Sequence, residues 1–168
     1  MALSDRTRAR VRFAALSAAG EPGRLTPIEL GDGTVILDDS YNSNPASVKS
    51  SLATAREIAR ARGARLVLVI GEMRELGALA AEQHAEVGTW LAESGSALLI
   101  GVMGEGQRFV APAQKAGIEA HFAESADAAL RLLLSRLQPK DVVLVKASRG
   151  VRAERLVRGL VDAKGQAA

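Results

Sequence analysis

From residue 25 onward, short apolar runs alternate with longer segments whose apolar positions recur every three or four residues. Residues 66–70 are five branched side chains in a row, Leu-Val-Leu-Val-Ile, the pattern of a central parallel strand buried on both faces. Weaker runs of the same kind lie at 97–102, 119–123 and 141–145. Val48, Leu52, Ala55, Ile58 and Ala59 share one helical face, so the spacing predicts a helix over 45–62. Asn44 stands as its N-cap, Pro45 at its first position and Gly63 just past its end. Further helices are expected over 78–93, over 107–116 with Pro112 a weak point inside it, over 126–137 behind a Ser125 cap, and over 152–163. Runs at 25–30 and 34–38 flank Gly31-Asp32-Gly33, a hairpin signal. The alternation predicts an α/β fold. It has three layers, with a mainly parallel sheet of about six strands and an antiparallel edge hairpin.

Composition narrows the class. Hydrophobic residues make up 48% of the 168 and charged residues 24%, globular values. Aromatics are only 3%, so the core must be aliphatic. The net charge of +3, from 22 basic and 19 acidic residues, is too mild to indicate nucleic acid, and aromatic and basic residues are not interleaved. The absence of cysteine removes disulfides and thiolate metal sites and fits a reducing compartment. No apolar run reaches bilayer length. No signal-like stretch accompanies Arg6, Arg8, Arg10 and Arg12. A cytoplasmic protein is expected, free of membrane and nucleic-acid partners, with residues 1–21 a lead-in and 22–168 the domain.

Three polar loops follow expected strands, at 38–44, 71–77 and 146–150. A parallel sheet brings such loops to one rim, outside the carboxyl ends of its strands, where open α/β sheets bind ligands. Asp38 and Asp39 suit a turn and cap, or one of them a ligand hydroxyl or cation. Strand alternation turns them to opposite faces, and Asp39, which adjoins the loop, is the favoured functional carboxylate. Ser40, Ser43 and Asn44 can satisfy backbone groups, whereas Tyr41, the sole tyrosine, does not suit capping. Lys146, Ser148 and Arg149 lie between a buried strand and a helix, where cations suit a carboxylate or phosphate. Glu72 and Glu75 read as solvated charges. His84, far in sequence from His121, reads as a packed side chain rather than a metal ligand. Gly101-Val102-Met103-Gly104-Glu105-Gly106 matches neither the dinucleotide fingerprint nor the phosphate loop, and no phosphate-loop motif occurs in the chain.

Asp38-Asp39-Ser40-Tyr41-Asn42-Ser43-Asn44-Pro45 resembles the DDSYNANP motif of the Mur ligase family, in its branch that adds D-alanyl-D-alanine to UDP-N-acetylmuramoyl-tripeptide. Gly71-Glu72-Met73-Arg74-Glu75-Leu76-Gly77 with His84 resembles that branch's GDMLELG segment and its following histidine. The stretch from Lys146 to Glu154 resembles KGSRGMRME, and Pro22-Gly23-Arg24-Leu25 resembles PGRL at the start of the last domain. The resemblance implies a Rossmann-like C-terminal domain that closes over nucleotide and incoming amino acid. The central ATPase domain, of which residues 1–21 would be a stub, and the UDP-sugar domain are the implied partners.

By that resemblance the whole ligase uses ATP and Mg2+, and its substrates are UDP-N-acetylmuramoyl-tripeptide and D-alanyl-D-alanine. It implies ATP contacts for Arg24, Asp39 and Asn42 and substrate contacts for Tyr41, Asn44, Lys146, Ser148 and Arg149. No catalytic residue and no metal ligand is expected within this chain, which alone is expected to be inactive and to bind no cofactor tightly. The alternative is a standalone nucleotide- or peptide-binding module built on the same domain. Ala147 stands where the motif has glycine and is expected to be strained if that glycine has positive φ.

Overall fold

The structure, a computed structural model, describes residues 20–165 together with Ala14 and Ala15. Most of the lead-in expected over residues 1–21 lies outside the described residues. A six-stranded sheet carries the domain, built from β1 (Thr26–Glu29), β2 (Val35–Asp39), β3 (Leu66–Gly71), β4 (Leu98–Val102), β5 (Glu119–Ala123) and β6 (Val142–Lys146). Its order is β1-β2-β6-β3-β4-β5, with β1 antiparallel to β2 and the other pairs parallel. The expected α/β sandwich with an antiparallel edge hairpin is therefore the fold observed.

The helices are α1 (Pro45–Arg62), α2 (Ala80–Ala92), α3 (Val110–Lys115), α4 (Ala126–Leu134) and α5 (Glu154–Lys164). One face of the sheet packs Leu37, Leu68, Ile70 and Leu144 against α1, α2 and α3. The other packs Ile36, Val67, Val69 and Val145 against α4 and α5. The period-2 alternation of each strand divides its side chains between these two cores. Because β3, β4 and β6 are covered on both faces, they read as unbroken apolar runs.

Sequence and structure diverge at three helices. The helix expected over 107–116 is a 3-10 segment, Gly104–Phe109, followed by the short α3. Pro112 sits in the first turn of α3, where an amide has no intrahelical partner to lose. Helix α4 ends at Leu134, three residues before the expected end. Helix α5 begins at Glu154 rather than 152, because Arg149–Val151 form a 3-10 turn and Arg152 is left-handed at φ 59°. Ala147 has no positive φ, so the expected strain is absent. It is buried instead, and a Cβ placed on Gly71 would stand 2.6 Å from the Ala147 Cβ.

Candidate functional site

The chain leaves β2 and β3 toward the face of α1 and α2, and leaves β6 toward the face of α5. Since β6 lies between β2 and β3, loops diverge to opposite faces on either side of it, which opens a crevice at the carboxyl ends. The three polar loops meet there. Arg74 N–H donates to Ser148 Oγ at 2.8 Å, Ser148 N–H to the Glu72 carbonyl at 3.4 Å, and Lys146 Nζ to the Asn42 carbonyl at 3.0 Å.

Asp39 and Lys146 are register partners in adjacent parallel strands, so their side chains share a face. Lys146 Nζ lies 2.6 Å from Asp39 Oδ2, and Ser51 of α1 donates to the same oxygen at 2.5 Å. Lys146 is 1% exposed and forms part of the crevice floor rather than an open cation. Ser148 is also buried, its hydroxyl accepting from Arg74. Both side chains, expected to anchor a substrate, are engaged in bonds that join the loops, and Lys146 also lines the cleft. Asp38 takes the opposite parity and accepts from Ser40 N–H at 3.2 Å, the Asx turn that the sequence allowed.

Tyr41 stands exposed on the rim, its amide held by the Gly23 carbonyl at 3.0 Å. The Arg24 guanidinium lies 4.6 Å from its ring centroid and that of Arg149 5.6 Å. Two cations on one aromatic ring gain from its quadrupole but repel each other, a repulsion that Glu21, 2.9 Å from Arg24 Nε, partly offsets. Tyr41 also divides two clefts. One, of about 360 Å³, is lined by Arg24, Asp39, Asn42, Asn44, Ser51 and Lys146 among others. The other, of about 280 Å³, is lined by Asp38, Ser40, Arg149 and Glu154. A larger groove, of about 770 Å³, lies between the carboxyl end of α1 and the start of β3, away from this chemistry.

Asn42 Oδ1 accepts from Ser43 N–H at 2.8 Å, and Asn44 Oδ1 from Ser47 N–H at 2.8 Å. The second contact belongs to a full capping box, since Ser47 Oγ accepts from the Asn44 amide. Both asparagines remain exposed on the cleft while their oxygens shape the loop. All the expected site residues thus lie on one rim. Arg24, Tyr41, Asn42, Asn44 and Arg149 present exposed polar groups along its clefts, and the buried Asp39, Lys146 and Ser148 lie beneath. Sequence reasoning missed Ser51, twelve residues beyond Asp39, whose only signal was its helical position one turn after Ser47. The reading of His84 as a packed side chain holds: it is 0% exposed and stacked on Phe109.

Comparison with known proteins supplies the family. A family model described as Mur ligase, glutamate ligase domain, matches residues 23–149. The UDP-N-acetylmuramoyl-tripeptide–D-alanyl-D-alanine ligase of Escherichia coli is 39% identical over 142 residues, 84% of this chain and 30% of that protein. The enzyme of the same name from Mycobacterium bovis is 36% identical over 156 residues, 80% of this chain and 30% of its own length. The crystal structure of MurF from Acinetobacter baumannii superposes with a TM-score of 0.68 at 25% identity, over 85% of this chain and 31% of that one. MurF ligase from Thermotoga maritima in complex with ADP gives 0.62 at 28% identity, over the same shares. The chain therefore spans about 30% of the length of the relatives it matches. On the family match over 23–149, with the fold and rim described above, this chain belongs to the Mur ligase family, as its C-terminal, glutamate ligase domain.

Proposed function

We propose that this domain forms one wall of the active cleft of an ATP-dependent ligase that joins D-alanyl-D-alanine to UDP-N-acetylmuramoyl-tripeptide. The observation that carries the reading is the convergence of Arg24, Asp39, Tyr41, Asn42, Asn44 and Arg149 on one rim. The reaction transfers the γ-phosphoryl group of ATP to the tripeptide carboxylate, giving an acyl phosphate and ADP. The dipeptide amine then attacks the carbonyl carbon, the carbon–oxygen bond to phosphate breaks, and the amine proton is lost as the amide forms. An acyl phosphate must be shielded from water, so a wall that closes late suits this chemistry.

In this reading Arg24, Asp39 and Asn42 face the nucleotide, and Tyr41, Asn44 and Arg149 face the incoming dipeptide. Lys146 and Ser148 hold the rim beneath them. The carboxylate and guanidinium on the nucleotide cleft fit a ribose and a phosphate by their donor and acceptor chemistry. In this reading magnesium and its ligands belong to the remainder of the ligase; among the described residues, no group of three or more His, Cys, Asp or Glu could hold a metal ion. No helix among the described residues is long and apolar enough to cross a membrane. The setting proposed is the bacterial cytoplasm.

The test is phosphate release with ATP, magnesium, UDP-N-acetylmuramoyl-tripeptide and the dipeptide. This chain alone should release none. Joined to the amino-terminal remainder of the E. coli relative, it should support dipeptide-dependent release. Turnover by the chain alone, or a folded chimera that binds ATP without dipeptide-dependent turnover, would overturn the reading.

A further inference from the structure

His84 lies outside the site described above, yet it touches one of the loops that form it. Its ring sits on α2, 0% exposed, stacked on Phe109 at 5.6 Å between centroids and 21° between planes. Nδ1 lies 2.6 Å from the Ala80 carbonyl, which can only accept, so Nδ1 carries the proton. Nε2 is then an acceptor, and the Met73 amide donates to it at 2.8 Å. The next amide, of Arg74, donates to Ser148 Oγ, whose own backbone N–H bonds the Glu72 carbonyl. Residues 72–76 form no helix or strand, and Glu75 is left-handed at φ 65°. These few bonds replace a ladder in fixing the loop.

We propose that His84 is the positioning residue of the second rim loop: its Nε2 lone pair holds the Met73 amide and thereby sets the Arg74 amide onto Ser148, registering the β3 loop against the β6 loop. A carbon in place of Nε2 leaves a buried N–H without a partner, and the loop must move to find one. The inference does not depend on the ligase reading, and its test uses no ligand.

The chain has two histidines, so ring nitrogen resonances are readily assigned. His121, part-exposed beside Glu119, is the internal reference. In the unmodified chain the His84 ring should show a protonated Nδ1 and a pyridine-like Nε2 coupled to the Met73 amide. His84→Phe keeps the ring and removes the acceptor. Amide exchange at Met73 and Arg74 should then accelerate about tenfold or more, with little change in β4 and β5. His84→Gln, whose amide oxygen can accept, should restore part of the protection. A proton found on Nε2, unchanged exchange at Met73 and Arg74 in the Phe variant, or a loss spread evenly over α2 and Gly104–Phe109 would overturn the proposal. Should the Phe variant fail to fold, the ring tautomer of the unmodified chain decides.

Discussion

At the scale of single residues, the Asp39–Lys146 pair dominates the energetics of the rim. The side chains are 13% and 2% exposed, so each partner has surrendered most of its hydration. Removing one strands the other, a loss larger than the net worth of the intact pair. Lys146→Met is expected to destabilise the domain by about 3 kcal/mol in urea unfolding. Adding Asp39→Asn to that variant should recover part of the loss, and an additive double mutant would contradict the coupling. The sequence showed that both residues stand at strand ends. It did not show them paired, because 107 positions separate them and only the β2–β6 register places them side by side.

At the scale of elements, two contacts decide how the rim and the far end of the sheet are held. Gly71 ends β3 against Ala147, where a methyl group has no room. Gly71→Ala should cost about 1–3 kcal/mol through overpacking, and Ala147→Gly in the same chain should restore part of it, the Val151 methyls at 3.1 and 3.2 Å remaining close, as thermal unfolding would reveal. At the other end, Asp32 in the hairpin turn accepts from Thr34 N–H at 3.0 Å and pairs with Lys164 of α5 at 3.0 Å. Burial disfavours its ionisation, but the bonds from Thr34 and Lys164 together outweigh burial and hold the carboxyl below its usual 3.8. A lowered value means stability that is present above pH 3.8 and lost as pH falls through the folded value. Asp32→Asn should therefore be less stable than the parent at neutral pH, by about 0.5–1 kcal/mol for a partly exposed pair, with the gap closing in acid. Neighbouring Asp141 behaves oppositely: burial raises its carboxyl, despite the Gln138 amide and Arg65. Its contribution is present below pH 3.8 and lost as pH rises through the folded value, so Asp141→Asn should flatten the decline above 3.8.

At the scale of the whole molecule, three large hydrophobic side chains stand exposed among the described residues, Tyr41 at 43%, Leu79 at 53% and Leu134 at 36%. Leu79 closes the 3-10 turn that follows the second rim loop. An exposed apolar side chain at the end of that turn suits a surface that another protein segment covers. Leu79→Ser should leave the stability of this domain within about 0.5 kcal/mol of the parent, while weakening its association with the amino-terminal remainder of the E. coli relative. Equal association by both proteins would remove Leu79 from the contact. The alternation of apolar runs and helical faces determined the elements, the two cores and the hairpin edge, because burial on one face or two is written directly into residue period. The ordered polar segments after the strands determined that three polar loops would meet at the carboxyl ends. Only the tertiary structure decided what each polar residue does there. Whether a lysine faces a ligand or closes on an aspartate, and whether a histidine binds or braces, depends on register across strands far apart in the chain, which no local pattern encodes.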